Sequence, residues 1–108
     1  MIRGAVYRVD LGEAKRGHEQ RGRRFGVVLS PSGSWSVATI VPTSTSANPT
    51  AFRPELKLGE TLTCFLADQI RTIDTKYIQG DPEFYLEREE LAQVEAAVAR
   101  YLGVLATV

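Results

Sequence analysis

The sequence predicts an α+β domain, a small barrel of short strands closed by one C-terminal helix. Short apolar runs alternate with polar stretches bearing glycine and proline from Arg3 to Ile78, the punctuation of strands and turns. From about Glu87 the apolar period lengthens to that of a helix. A chain of 108 residues buries one core and is too short for two. Short strands, long loops and a terminal helix together define the class.

Taken in order, Arg3 to Leu11 forms a half-buried first strand, with Ala5, Tyr7, Val9 and Leu11 on one face and Val6, Arg8 and Asp10 on the other. Residues 12–23 carry Gly12, Gly17 and Gly22, and are too long for a tight hairpin turn, the mark of a mobile or functional loop. A second strand runs from about Arg24 to Ser30, with Val27, Val28 and Leu29 as its buried part, and Pro31 to Ser34 turns the chain. Trp35 to Val41 alternates again as a third strand, antiparallel to the second, and Pro42 is expected to end its pairing because proline cannot donate to a ladder. Phe52 to Leu58 reads as an edge strand, since Pro54 argues against a central place. Thr61 to Ala67 is another apolar strand, Asp68 to Asp74 is mixed, and Tyr77-Ile78 forms a short last strand before Gly80-Asp81-Pro82 breaks the pattern. The helix spans Glu87 to Leu102, with Leu91, Val94, Val98, Tyr101 and Leu102 at helical spacing. Acids load its first turn and Gly103 stops it.

Hydrophobic content of 44% and charged content of 24% exclude a disordered or fibrous chain. The single cysteine, Cys64, cannot form an internal disulfide and sits in an apolar run as a small core residue. No signal peptide or membrane-length apolar stretch is evident, so an intracellular, cytoplasmic protein with no membrane partner is expected. The net charge of zero hides an asymmetry. Residues 1–30 carry Arg3, Arg8, Lys15, Arg16, Arg21, Arg23 and Arg24 against Asp10, Glu13 and Glu19. Residues 79–108 carry Arg88 and Arg100 against Asp81, Glu83, Glu87, Glu89, Glu90 and Glu95. The basic cluster at 15–24 suits a polyanion or an acidic protein tail, and equally the two halves can neutralise one another across the surface.

One histidine and one cysteine do not make a zinc site, no carboxylate cluster has metal-ligand spacing, and no Gly-rich phosphate loop precedes a helix. No metal and no cofactor is therefore expected. What remains is the basic loop, an arginine at the mouth of the second strand, and Thr43-Ser44-Thr45-Ser46 beyond the third. Arg21, Arg23 and Arg24 read equally as solvated loop charges, and the hydroxyls as a turn capping its own backbone. If the second and third strands pair as a hairpin, however, Arg24 and Ser44 come within side-chain reach. An arginine fork beside a hydroxyl donor cradles a phosphate. In RNA the 2′-hydroxyl can attack its own phosphodiester, so a protein needs only to orient the strand, manage two protons and stabilise the dianionic transition state, a task that requires no metal. Glu19 and His18 are the loop groups suited to proton exchange. Glu19 is also a salt-bridge partner for Arg21 or Arg23.

Four stretches in this order resemble the MazF/PemK family of toxin endoribonucleases: Arg3 to Leu11, Gly17-His18-Glu19-Gln20 with Arg23-Arg24, Val41 to Thr45, and Leu66 to Ile73. The resemblance covers nearly the whole chain. It implies a single toxin domain over residues 1–108, with the SH3-like barrel and C-terminal helix of the MazF/CcdB/Kid-type toxin fold. It also implies a homodimeric, metal-independent enzyme that cuts single-stranded RNA to a 2′,3′-cyclic phosphate and a 5′-hydroxyl and is blocked by a cognate MazE-like antitoxin. The family's essential arginine falls on Arg24 and its hydroxyl residue, usually threonine, on Ser44, so Thr43 or Thr45 is an alternative hydroxyl. Phe25 stands where the family usually has proline, and Arg23 can share the arginine's work. His18, Glu19, Gln20, Arg21, Arg23, Thr43, Thr45, Asp68 and Gln69 are the implied substrate-binding set, Asp68 and Gln69 serving as base contacts or as rim structure. Two rivals stand beside the ribonuclease: a toxin of the same fold that poisons a protein such as DNA gyrase, and an inert interaction module presenting Trp35 and the tyrosines.

Overall fold

The computed structural model describes residues 1–13 and 17–104. Seven strands, β1 (Ala5–Asp10), β2 (Arg23–Val28), β3 (Val37–Ser44), β4 (Glu55–Leu58), β5 (Thr61–Phe65), β6 (Arg71–Asp74) and β7 (Ile78–Tyr85), precede one helix, α1 (Arg88–Leu102). The strands pair antiparallel in the order β4-β5-β3-β2-β1-β7, and β6 joins β3 beside β5. The result is the expected α+β class, a curled antiparallel half-barrel with a C-terminal helix.

Strand alternation divides the apolar residues between two faces. Ala5, Tyr7, Val9 and Leu11 gather with Val28, Ala38, Ile40, Ile73 and Ile78 on the concave side. Val6, Val27 and Val41 face the other way, against Leu56, Leu58, Phe65 and Val94 of α1. The central strands are thus buried on both faces, and each fully buried valine is worth roughly 1.5–3 kcal/mol. At the start of α1 the Glu87 amide donates to Glu90 Oε1 (2.8 Å), and at its end Gly103 takes the left-handed conformation (φ 71°) that a helix stop requires. Val94 and Ala97 are buried as the helical period demands. Tyr101 and Leu102, placed by that period on the same face, are exposed instead: the last turn lies against the loop before β4, where Tyr101 meets the edge of Phe52 (ring centroids 5.4 Å) and Arg100 Nη1 donates to the Ala51 carbonyl (2.8 Å). Among the described residues no helix is long and apolar enough to cross a membrane.

Two expected strand ends are corrected. Pro42 does not end β3: it pairs with Gly26, and its carbonyl accepts from the Leu66 amide (2.9 Å). Amide and carbonyl of one strand residue point to the same side, so the missing N–H faces the edge where the Ala67–Gln69 turn of 3₁₀ helix separates β5 from β6. No donor is needed in that gap, and β3 continues to Ser44, paired with β5 through Thr43↔Phe65 and Ser44↔Cys64. Likewise Gly80-Asp81-Pro82 lies inside β7, as an irregularity opposite Val6–Arg8 of β1, with pairing resumed at Phe84↔Val6. Part of the mixed stretch Asp68–Asp74 is the strand β6, which pairs Arg71↔Ile40 through Asp74↔Val37.

Candidate active site

The β1–β2 loop is closed at its base, where the Leu11 amide donates to the Gly22 carbonyl (2.9 Å) and the Gly22 amide to the Gly12 carbonyl (2.6 Å). Both glycines hold positive φ, 77° and 79°, which lets the chain reverse there. Arg24 follows at once on β2. Its Nε donates to the Arg21 carbonyl (2.8 Å) and its Nη1 to the Thr43 carbonyl (3.4 Å), so the guanidinium lies across the gap between β2 and the end of β3. Gly26 faces Pro42. Continued two residues toward the loop, that register sets Arg24 opposite Ser44.

Ser44 is buried, and its Oγ accepts from the amides of Ser46 and Ala47, each at 3.2 Å, with Ser46 Oγ also at 3.2 Å. This is the turn-capping role foreseen for the hydroxyl run, and it has a chemical consequence. With two amides occupying the oxygen's lone pairs, the Ser44 hydroxyl is the donor toward Ser46 Oγ, and a substrate oxygen that takes this hydrogen must displace that contact. Thr43 is differently engaged: its Oγ1 donates to the Phe25 carbonyl (3.0 Å) and ties β3 to β2. Thr45 is exposed.

His18 and Glu19 are exposed on the loop, and Arg21 and Arg23 are exposed beside its base. Lys15 and Arg16 of the basic cluster lie outside the described residues. Among the described residues the ion pairs are Arg3–Glu95, Arg8–Glu83 and Arg53–Asp68, so Glu19 makes no bridge to Arg21 or Arg23. Gln69 Nε2 donates to the His18 carbonyl (3.1 Å), which moors the loop to the 3₁₀ turn, and the half-buried Gln20 has its Oε1 enclosed without a partner among the described residues. Asp68 is held in a bidentate grip, with Arg53 Nε to Oδ1 at 3.0 Å and Nη2 to Oδ2 at 2.8 Å. That bond raises the pKa of the Arg53 guanidinium above its usual value, and it commits Asp68 to the rim. Cys64 is buried, its Sγ donating to the Ala47 carbonyl (3.3 Å), and burial pushes the thiol pKa up, away from nucleophilic duty. Among the described residues no three His, Cys, Asp or Glu side chains gather in a way that could hold a metal ion.

Sequence reasoning therefore placed Arg24 and Ser44 together, and separated neither Thr43 nor Asp68 from the binding set. It missed Arg53 altogether, whose partner is 15 residues away on a different element; no local pattern announces such a pair.

The fold that carries this basic loop and hydroxyl turn is that of a known class of small proteins. Residues 2–102 match the family described as PemK-like, MazF-like toxin of type II toxin-antitoxin system, and the chain belongs to that family. It is 67% identical over 104 residues to a candidate toxin of Mycobacterium tuberculosis, covering 95% of this chain and 98% of that one. The crystal structure of MazF from Deinococcus radiodurans superposes with a TM-score of 0.81 at 26% identity, over 95% of this chain and 96% of that chain. An endoribonuclease in complex with its cognate antitoxin, from a mycobacterial species, shares the fold with a TM-score of 0.78 at 20% identity, over 99% of both chains.

Proposed function

We propose that the chain is the toxin of a type II pair, a cytoplasmic endoribonuclease that cuts single-stranded RNA without a metal. The observation that carries this reading is Arg24, whose guanidinium meets only carbonyl oxygens among the described residues and whose strand register, continued from Gly26↔Pro42, runs to Ser44. A phosphodiester laid between β2 and β3 would meet a delocalised positive charge and one O–H donor. The RNA 2′-oxygen attacks phosphorus as its proton leaves, the bond from phosphorus to the 5′-oxygen breaks, and that oxygen takes up a proton. The products are a 2′,3′-cyclic phosphate and a 5′-hydroxyl. Arg24 stabilises the charge gathered on the non-bridging oxygens and Ser44 donates to one of them. His18 and Glu19 on the loop are the side chains suited to the proton exchanges.

MazF from Deinococcus radiodurans is also described in complex with MazE, and the mycobacterial structural relative in complex with its cognate antitoxin. By that likeness this chain is silenced by a MazE-like antitoxin whose acidic segment covers the basic loop; that it acts as a homodimer follows from the family resemblance. Sequencing the ends generated on a defined transcript in excess EDTA tests activity, metal independence and end chemistry together. Cyclic-phosphate ends at short recurring sequences are expected. An intact transcript, or cleavage only on addition of a divalent metal, overturns the reading; intact RNA with inhibited DNA gyrase points to the protein-poisoning alternative.

A further inference from the structure

A second feature lies on the far side of β1 from Arg24. Among the described residues β6 pairs with β3 alone, and the Thr75 amide donates to the Ser36 carbonyl (3.0 Å). Since strand backbone groups alternate sides residue by residue, Arg71 and Ile73 turn theirs to β3 and Thr72 turns its N–H and C=O outward. On β1 the Leu11–Gly22 bond fixes the opposite alternation, so the backbone of Asp10 faces away from β2, and β7 accompanies β1 only as far as Val9↔Ile78. These two unpaired edges border a cavity of about 370 Å³ whose walls include Asp10, Gly12, Arg71, Thr72 and Tyr77. That is the size of a small-molecule site.

The cavity is equipped for a planar polar ligand. Arg71 is half-buried, and among the described residues no ion pair neutralises it. Tyr77 stands at the wall, 45% exposed, with the Lys76 ammonium 5.1 Å from its ring centroid. Position follows from register: Arg24 faces Val9, and Val9 faces Ile78. Tyr77, next to Ile78, is therefore about two strand spacings, roughly 10 Å, from Arg24. An extended single strand whose phosphate sits at Arg24 reaches that distance with a neighbouring nucleotide.

We propose that the cavity takes one unpaired nucleobase of the RNA, adjacent to the phosphodiester held at Arg24. Every base offers a neighbouring donor and acceptor that match the outward N–H and C=O of Thr72. Tyr77 supplies a stacking face, and Arg71 a fork for a ring nitrogen or carbonyl oxygen. The inference rests on the ribonuclease reading and specifies how that enzyme chooses where to cut.

The test uses a short 2′-fluoro RNA, selected for binding from a random pool; it lacks the attacking hydroxyl, so affinity is read without cleavage. Abasic residues are then placed at each position in turn. Omitting one particular base should weaken binding to the native protein about tenfold, and should cost little further in Tyr77→Ala or Thr72→Pro proteins, which have already lost the contact. Proline at 72 removes an N–H that faces the cavity and none of the β3 ladder. Thr72→Val, which keeps that N–H and loses only the hydroxyl bond to Thr39, should behave as native. An abasic profile identical in native and variant proteins overturns the proposal and leaves the two edges to an extended peptide strand. The selected sequence with ordinary ribose separates the two readings. Cleavage next to the critical base supports both, whereas pocket-coupled binding without cleavage removes the ribonuclease reading and leaves the pocket in place.

Discussion

Arg24 on β2 and Arg53 just before β4 are held in opposite ways. Arg53 is saturated: its fork closes on both oxygens of Asp68, and the pair staples the 3₁₀ turn Ala67–Gln69 to the residues before β4. Among the described residues Arg24 touches two carbonyl oxygens and no carboxylate. A carbonyl orients a guanidinium without cancelling its charge, so Arg24 keeps its attraction for a phosphate while Arg53 has spent its own. Rigid framework and proposed reactive site thus use the same residue type, and the counter-charge separates them.

The sharpest way to break that contrast is to truncate each arginine. Arg24→Ala should lower RNA cleavage by about 10²–10³, as removal of one preorganised charge stabiliser does, with little change in melting temperature; a variant that cuts at near-native rate would place the chemistry elsewhere. Arg53→Ala should do the reverse. Leaving a partly buried Asp68 without its partner costs about 1–3 kcal/mol, which calorimetry would register as a drop of roughly 4–8 °C per kcal/mol in a domain of this size. Cleavage measured well below that melting point should change far less than in Arg24→Ala.

Ser44→Ala is expected to fall between, with about tenfold slower cleavage from the lost donor and a modest stability loss because the Ser46 and Ala47 amides lose their acceptor. Ser44→Thr should restore most of the rate. The smallest effect concerns Cys64. Its thiol pKa is raised in the fold above the ordinary 9.0, so at high pH the unfolded chain gives up its proton first. Stability contributed by the protonated thiol is present below that value and is lost as pH rises through it. Unfolding in denaturant at stepped alkaline pH should show a decline that Cys64→Ala makes shallower.

The sequence foretold elements whose signals are local and periodic. The helix was legible from Leu91, Val94 and Val98 together with its glycine stop, and the Arg24–Ser44 juxtaposition followed from antiparallel pairing of two adjacent strands. Features that depend on partners distant along the chain were not. Pro42 looks like a terminator until the interrupted edge opposite it is known. Arg71 to Asp74 is too short and mixed to declare itself a strand until β3 supplies a partner. Asp68 offered no sign that Arg53 would claim it, which is why it read equally as base contact and as rim.

That the attacking oxygen belongs to the RNA, and that the protein lends it charge and orientation, is tested most directly by a substrate carrying a single 2′-deoxynucleotide on the 5′ side of the mapped cut. The protein should leave that bond intact while cutting an all-ribose control in the same tube. Cleavage of the deoxy-substituted bond at the control rate would show that another nucleophile does the work and contradict the role given to Arg24 and Ser44.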